Sequence, residues 1–275
     1  MPIGYREFAA GLRKLGIGRS SPVIFHASMS AFGQVHGGAD SILGALMANY
    51  NSLMAPTFTY RTMLVPEGGP PDNGMTYGSG KDKNLMAEFF HSDMPADRLI
   101  GAVPEALRRH PDARRSIHPI LSFAGIHVVE ALQAQTIAEP LAPIRVITGA
   151  GGWVLLLGVD HTVNTSIHYA EKLAGRKQFV RWALTRNGVQ ECPGFPGCSE
   201  GFQAIAPRLR WATRRALIGS GQVEAVSLAD LVNTVQKMIS ENPLALLCNR
   251  SYCERCLSVR EVLSSQPAPK IGNLP

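Results

Sequence analysis

The chain has 275 residues, of which 45% are hydrophobic and 17% are charged. That length allows one large buried core or two smaller ones, and the charged fraction is too low for a disordered protein. The formal net charge of +6 favours binding of phosphates or of an acidic surface. The basic residues are spread along the chain and only 7% of residues are aromatic, a composition that argues against nucleic-acid binding.

The amino terminus predicts an amphipathic helix, with Phe8, Leu12 and Leu15 on one side and without the continuous apolar stretch of a secretion signal. The longest apolar run, residues 146–159, is interrupted by Thr148 and several glycines. We therefore expect two buried strands joined by a turn there rather than a membrane helix. These patterns predict a cytoplasmic protein that does not bind a membrane.

The first half of the chain alternates between strand-like and helix-like segments, which indicates an α/β core. The pattern predicts a strand at residues 22–26, a helix at 39–50 and a strand at 52–56. Residues 59–83 are rich in Gly, Pro, Asp and Asn, which predicts a long surface loop that covers a substrate.

The second half adds further helices and two hairpins. Residues 103–109 and 127–133 read as helices, with a strand at 122–125 between them. Two hairpins are predicted at 178–192, around Asn187 and Gly188, and at 216–226. Ser227 should cap a helix at 228–239, and a Pro-rich tail at 266–275 should be frayed. Without an internal repeat or a clear linker, residues 1–275 are expected to form a single domain.

The most informative segment is GVDHTVNTSIHYAEK at residues 158–172, directly behind the apolar run Trp153–Leu157. A buried strand should lead into a polar loop, and a helix should begin at Asn164 or Thr165, either of which can cap it. His168 and Glu171 then share one helix face, where they are suited to proton transfer. The alternative is an ordinary surface pair or a partly buried histidine.

Two further segments are candidates for binding an anion. HASMSAFGQVHGGAD, residues 26–40, leaves a strand and enters a helix whose start is opened by Gly37 and Gly38. Free backbone N–H groups at such a start can bind phosphate, although the segment matches neither a P-loop nor a dinucleotide motif. RRSIHPILS, residues 114–122, adds cations, hydroxyls and an imidazole. Plain polar turns remain the alternative for both segments.

The five cysteines are an odd number, which is typical of reduced thiols in a cytoplasmic protein. Cys248, Cys253 and Cys256 lie close together in CNRSYCERC. A zinc site would need a fourth ligand, which either Cys192 or Cys198 could supply. The spacing is not that of a zinc ribbon, so we expect ordinary thiols and no bound metal.

Four segments carry, in order, a resemblance to the aminoglycoside 3-N-acetyltransferase family: HASMSAFGQVHGGAD, LMAPTFTY, IGAVPEALRRHPDARRSIHPILSFAG and LLLGVDHTVNTSIHYAEKLAG. The resemblance extends from about Leu12 to Ile239 and implies a three-layer α/β/α sandwich that binds acetyl-coenzyme A in a groove. It further implies that the cofactor is held by His26, Ser28, Ser30, Val35, Gly37, Gly38 and Ala39, and flanked by Ser116, His118 and Ser122.

The same resemblance implies that His168 is the catalytic histidine and Glu171 its neighbouring carboxylate. Only a neutral amine attacks a thioester, so a base must remove a proton before or during attack. Either Asp160 or Glu171 could orient the imidazole, and the sequence does not choose between them. We expect direct transfer in a ternary complex. Covalent transfer through Cys192 or Cys198 is an alternative to which the resemblance does not point.

The acceptor amine is less defined by the sequence than the reaction. An aminoglycoside 3-amine is the leading acceptor, which would make the protein an antibiotic-resistance enzyme. A site for polycations should be rich in carboxylates, however, and this basic chain therefore also fits a biosynthetic amine. Glu191 and Glu200 are either amine contacts or ordinary surface residues. A zinc-stabilised, basic nucleic-acid-binding protein is the alternative from a different class.

Overall fold

A mixed seven-stranded sheet forms the centre of the protein in a computed structural model, which describes residues 2–265. The ten strands of the described residues are β1 (Val23–Ala27), β2 (Leu53–Pro56), β3 (Met63–Leu64), β4 (Arg114–Arg115), β5 (Phe123–Ile126), β6 (Trp153–Leu157), β7 (Phe179–Thr185), β8 (Gly188–Phe195), β9 (Arg214–Ile218) and β10 (Gly221–Ser227). The large sheet has the order β4-β5-β2-β1-β6-β10-β9. β2, β1 and β6 are parallel, and the outer neighbours are antiparallel.

Helices cover both faces of this sheet. Those within the described range are α1 (Tyr5–Arg13), α2 (Gly38–Asn49), α3 (Lys81–Leu85), α4 (Ala102–Arg109), α5 (Val129–Gln133), α6 (Ala142–Gly149), α7 (Thr165–Leu173), α8 (Ala206–Leu209), α9 (Leu228–Glu241) and α10 (Glu254–Ser265). α1, α2 and α4 pack on one face, and α5, α6, α7 and α9 form the other layer. The predicted three-layer α/β/α sandwich is confirmed. Among residues 2–265, no helix combines the length and the apolarity that crossing a bilayer demands.

The central strands are apolar throughout because both of their faces are buried. In β1, Phe25 packs in the core with α1 and α2, whereas Ile24 packs in the core on the opposite face. Side chains alternate along a strand, so His26 points to the same face as Ile24. This alternation places the imidazole of His26 on the side of the sheet that carries α7.

Most of the predicted elements are present within two residues of their expected ends. The amino-terminal helix buries Phe8 and Leu12, and both hairpins form. Ser227 caps α9, since its side chain accepts a hydrogen bond from the backbone N–H of Asp230 at 3.1 Å. The tail at 266–275 lies outside the described residues.

The predicted strand pair within residues 146–159 is wrong in its first half, because residues 146–149 are the end of α6. Pro143 lies in the first turn of this helix, and Ile144 and Ile147 are buried three residues apart. A short apolar run does not distinguish a buried strand from a buried helix, and helical spacing decides here.

The long segment 59–83, predicted as a surface loop, is mostly irregular and at least partly exposed, but parts of it are tied to the rest of the fold. It contains β3, which pairs with β7 in a second, three-stranded sheet of order β3-β7-β8. The Asn73 side chain accepts a hydrogen bond from Val180 N–H at 2.8 Å and donates one to the Val180 carbonyl at 3.0 Å. These contacts with β7 position the middle of the predicted loop on the second sheet.

Gly158 ends β6 at a point where two loops approach closely. Its φ is +66°, and a Cβ atom there would lie 2.4 Å from the Ala31 Cβ and 3.1 Å from the Ser28 carbonyl oxygen. Glycine is therefore required both by backbone conformation and by space. The contact brings the loop after β6 against the loop after β1.

Replacing Gly158 with alanine should lower the free energy of unfolding by about 3 kcal/mol, the sum of left-handed backbone strain and overpacking. Gly175→Ala is the matched control, because Gly175 has φ +79° and no atom within 4 Å of the added Cβ. It should cost only about 1 kcal/mol. Urea unfolding measures both values, and equal losses would contradict the close approach at Gly158.

Candidate active site

A cleft of about 870 Å³ lies at the carboxyl ends of the parallel strands, where sites in open α/β sheets are found. The loop after β1 and the loop between β6 and α7 form two of its walls. Residues from distant parts of the chain complete the lining, including Tyr60, Arg98, Arg181, residues 195–197, residues 199–200 and Arg255.

His168 lies in this cleft on α7. The helix begins where predicted, and of the two expected caps Asn164 performs the role, since its side-chain oxygen accepts a hydrogen bond from Ser166 N–H at 3.1 Å. His168 is only 8% exposed, and the edge of Phe202 packs against it with ring centroids 4.6 Å apart. Helix and aromatic ring together define the orientation of the imidazole.

Glu171 binds the imidazole directly. The His168 Nδ1 atom lies 3.1 Å from the Glu171 Oε2 atom, as expected for residues one helical turn apart. A carboxylate only accepts hydrogen bonds, so the Nδ1 atom carries the proton in this pair. The Nε2 atom is then the nitrogen left to accept a proton in the cleft.

Glu171 is itself 2% exposed and is paired with Arg176. The Arg176 Nε atom lies 3.3 Å from the Glu171 Oε1 atom. Arg176 also donates hydrogen bonds to the carbonyls of Pro243 and Ala245, each at 2.7 Å. Burial lowers the pKa of this guanidinium, opposed by the attraction of Glu171. A buried chain of three groups therefore leads from the cleft into the protein.

Asp160, the other candidate partner of the imidazole, lies in the turn before α7. Its carboxylate accepts hydrogen bonds from the Thr162 backbone N–H at 2.9 Å and from the Thr162 hydroxyl at 2.5 Å. It starts a short 3-10 helix by this capping. The contact with His168 is made by Glu171, so a catalytic role of Asp160 stays a prediction without a contact to support it.

Three of the residues expected to hold the cofactor line the cleft, namely His26, Ser28 and Ser30. The two serine hydroxyls lie 3.0 Å apart. Burial and the nearby His161 lower the pKa of His26 to about 3, so its imidazole is neutral at physiological pH. Its Nε2 atom is buried and has no hydrogen-bond partner among the described residues.

The other residues of this segment that were expected to hold the cofactor, Val35, Gly37, Gly38 and Ala39, lie outside the lining of the cleft, where the chain enters α2. Gly37 and Gly38 both have positive φ, at +76° and +58°. Among residues 2–265, the N–H groups of Ala39 and Asp40 donate to no backbone carbonyl. The start of α2 thus retains the geometry of an anion site.

Ser116, His118 and Ser122 are buried, and all three bind neighbouring protein groups. Ser116 Oγ accepts from Phe123 N–H at 2.9 Å, and His118 Nδ1 accepts from the N–H groups of Ile120 and Leu121 at 3.1 and 3.0 Å. The Ser122 hydroxyl donates to the Thr57 carbonyl at 2.9 Å. These contacts hold the polar turn together, and a role next to the cofactor stays a prediction.

The remaining candidates from the sequence differ in their positions. Glu200 lines the cleft and forms an ion pair with Arg250 at 2.8 Å, whereas Glu191 is exposed on β8. Cys192 is buried, and burial raises the pKa of its thiol to about 12, which opposes a nucleophilic role.

Sequence reasoning missed Arg98, Arg255 and Arg176, because no local motif marks them.

Two solved structures share this fold. The apoenzyme of aminoglycoside acetyltransferase AAC(3)-IVa aligns with a TM-score of 0.77 and 22% identity, covering 95% of this chain and 98% of that chain. YokD from Bacillus subtilis aligns with a TM-score of 0.77 and 22% identity, covering 88% and 95%. This chain thus shares the fold of these two structures.

The profile of the aminoglycoside 3-N-acetyltransferase family matches residues 24–240 of this chain. Aminoglycoside N(3)-acetyltransferase VII of Streptomyces paromomycinus is 34% identical over 191 residues, 65% of this chain and 64% of the relative. Aminoglycoside N(3)-acetyltransferase III of Serratia marcescens is 29% identical over 231 residues, 73% and 82% respectively. The chain belongs to the aminoglycoside 3-N-acetyltransferase family, and its match spans just under two thirds of the Streptomyces relative.

The buried histidines predict a loss of stability in mild acid. Burial lowers the pKa of His26 to about 3 and that of His118 to about 4, against about 6.5 in an unfolded chain. At a pH between the pKa of the folded state and that of the unfolded chain, His26 and His118 are protonated only in the unfolded chain. The stability is therefore complete above about pH 6.5 and decreases as the pH falls toward 4, by up to about 1.4 kcal/mol per pH unit for each histidine.

Urea unfolding at pH 7 and pH 5 tests this effect. His118→Asn should reduce the difference between the two pH values, because asparagine can accept the same backbone hydrogen bonds without titrating. His36→Gln, a change at an exposed histidine, should leave the difference as it is in the native chain. Equal stability of the native protein at both pH values would refute the assignment of neutral buried imidazoles.

Proposed function

We propose that the protein is an acetyl-coenzyme A-dependent N-acetyltransferase that acetylates the 3-amino group of aminoglycosides, with His168 as general base. The observation that carries this proposal is the chain His168–Glu171–Arg176, which ends in the cleft. The names of the relatives support the reaction, since two of them are aminoglycoside N(3)-acetyltransferases. A structure of AAC-IIIb in binary complex with CoASH supports the cosubstrate.

The residues present fit coenzyme A. The neutral, unpartnered His26 Nε2 atom and the hydroxyls of Ser28 and Ser30 offer polar contacts in the cleft. The N–H groups of Ala39 and Asp40 at the start of α2 would bind phosphate. When bound, acetyl-coenzyme A would supply the acetyl group as a thioester. The arrangement favours residues 26–30 for the thioester arm and residues 37–40 for the phosphates.

The protein residues then act on the acceptor amine. The Nε2 atom of His168 takes a proton from the amine, which is mostly protonated at neutral pH and attacks only in its neutral form. Glu171 holds the imidazole in the required tautomer and stabilises the charge that it gains. Arg176 places a compensating positive charge beside the Glu171 carboxylate at this buried position.

A second candidate acceptor is an amine of lower charge than an aminoglycoside. Arg98, Arg181 and Arg255 line the cleft, whereas Glu200 is the one carboxylate among the described lining residues. Carbonyl oxygens of Asn73, Val180 and Gly74 accept hydrogen bonds from Arg181. These hydrogen bonds to neutral carbonyls do not cancel the positive charge of the Arg181 guanidinium. A cleft with this excess of positive charge favours an acceptor with one amine over a polycation.

His168→Gln should slow acetyl transfer strongly while leaving the fold intact. General-base catalysis contributes about 10²- to 10⁴-fold, so we expect kcat to fall at least about 100-fold. The measurement is thiol release from acetyl-coenzyme A with a panel of gentamicin-type aminoglycosides and simple amines. His91→Gln, at an exposed histidine outside the cleft, is the control and should retain full activity.

The panel also separates the two acceptors. Turnover of gentamicin-type drugs that His168→Gln slows at least about 100-fold supports the leading proposal. Turnover of singly charged amines alone supports the second. Binding of coenzyme A without turnover of any amine would refute both acceptors. Failure to bind coenzyme A would refute the acetyltransferase proposal itself.

Glu171→Gln tests whether the carboxylate acts through His168. Glutamine can still accept the Nδ1 hydrogen bond but carries no charge, so we expect kcat to fall about 10- to 100-fold. Groups that act as a unit are not additive. The double variant with His168→Gln should therefore be no slower than His168→Gln alone. A further multiplicative loss in the double variant would show that Glu171 acts independently of the imidazole.

A further inference from the structure

Four cysteines from distant parts of the chain meet beside the cleft and form what we call the four-cysteine cluster: Cys198, Cys248, Cys253 and Cys256. Their Sγ atoms all lie within 4.8 Å of one another. Cys198, Cys248 and Cys256 are buried, Cys253 is partly exposed, and all four are free thiols. Three of the four lie beyond residue 240, outside the segment matched by the family profile.

The spacing of the sulfur atoms, at most 4.8 Å between any two, is compatible with a mononuclear tetrahedral metal site. A Zn–S bond of about 2.3 Å places the sulfurs of a tetrahedral site about 3.8 Å apart. Two disulfides would instead bring the sulfurs into pairs at about 2.05 Å. Four thiolates at the corners of a tetrahedron are ligands typical of zinc.

The close approach of the four thiols suits a cation. Three of them are buried and the fourth is partly exposed, so four thiolates here would repel one another with little screening by water. A divalent cation bound between the four sulfurs would offset that repulsion.

The surrounding contacts orient the two segments that carry the cysteines. The Arg260 Nη2 atom donates to the Cys248 carbonyl at 2.6 Å, and the Arg255 Nη1 atom donates to the Gly197 carbonyl at 2.9 Å. Such hydrogen bonds around the ligands are a regular feature of protein metal sites. They hold the loop after β8 against the start of α10.

We propose that the four-cysteine cluster binds one zinc ion, which fixes one wall of the active-site cleft. Cys198 lies between the cleft-lining residues Gly197 and Ser199, and Arg255 lies in the cleft between Cys253 and Cys256 in sequence. Coordination closes a chain segment of about 50 residues, so zinc stabilises an arrangement whose closure is costly in entropy. This proposal replaces the expectation of no metal.

Zinc is compatible with the enzyme and does not require nucleic-acid binding. The sequence allowed a different class of protein as the alternative, in which the cysteines bind zinc and stabilise a basic nucleic-acid-binding protein. The cluster instead adjoins the cleft that holds His168, and the chain belongs to an acetyltransferase family. The zinc ion therefore has a structural role in this proposal, since all four coordination positions are occupied by protein sulfur.

Elemental analysis of the full chain, purified without metal-affinity steps, should find about one zinc per chain. Cys198→Ser removes one ligand and should reduce the zinc content at least about tenfold after mild dialysis against chelator. Cys192→Ser is the matched control, because Cys192 is buried but lies outside the cluster. It should keep its zinc.

Two measurements on the native chain avoid any dependence on how the variants fold. Growth with cobalt should give the visible absorption of tetrahedral cobalt with thiolate ligands. Removing the metal should increase hydrogen exchange in residues 196–201 and leave β1 protected. Protein without zinc, with four thiols that react freely under native conditions, would overturn the site. Zinc without a change in exchange at 196–201 would overturn its role in the cleft wall. Both readouts are independent of catalysis.

Discussion

The buried ion pair between Glu171 and Arg176 is the constraint on which the site depends. A carboxylate that is 2% exposed requires a partner, because an isolated buried charge is strongly destabilising. Arg176 provides the compensating charge, and its other two nitrogens bind the carbonyls of Pro243 and Ala245. One guanidinium thus connects the group that orients His168 with the segment that leads to Cys248.

This connection relates two features that are far apart in the sequence. Residues 243–248 run from the end of α9 to the first cysteine of the carboxyl-terminal part of the four-cysteine cluster. A displacement of this segment would alter both the partner of Glu171 and the position of the metal ligands. Residues 243–248 thus support both the imidazole of His168, through Arg176 and Glu171, and the proposed zinc ion, through Cys248.

The sheet determines where these groups meet. The carboxyl ends of β1, β2 and β6 lie side by side because the three strands are parallel, and each delivers its following loop to one edge. His26 at the end of β1 and His168 on α7 reach one cleft for this reason. The second sheet adds Arg181 from β7, and the chain at and just beyond the end of β8 brings residues 195–197 and 199–200 to the cleft. Arg98 and Arg255 reach the cleft from other parts of the chain, and all three arginines lie outside the four family motifs.

Local sequence determined much of this arrangement. The pairing of His168 with Glu171 follows from one helical turn and the Asn164 cap, both of which are short-range properties. The hairpins follow from their turn residues, and the fold class follows from the four ordered motifs. Local pattern failed at residues 146–149, where a short buried helix and a buried strand have the same apolar composition.

Tertiary structure decided the rest, because it depends on contacts between residues remote in the chain. The sequence left Asp160 and Glu171 as equal candidates, and side-chain geometry selects Glu171 as the partner of His168. The sequence also left both Cys192 and Cys198 as possible fourth members of the cysteine cluster. Cys198 joins Cys248, Cys253 and Cys256 because the loop after β8 packs against α10. Arg176 lies in no sequence motif. Its role as the partner of Glu171 is visible only because the fold buries that carboxylate.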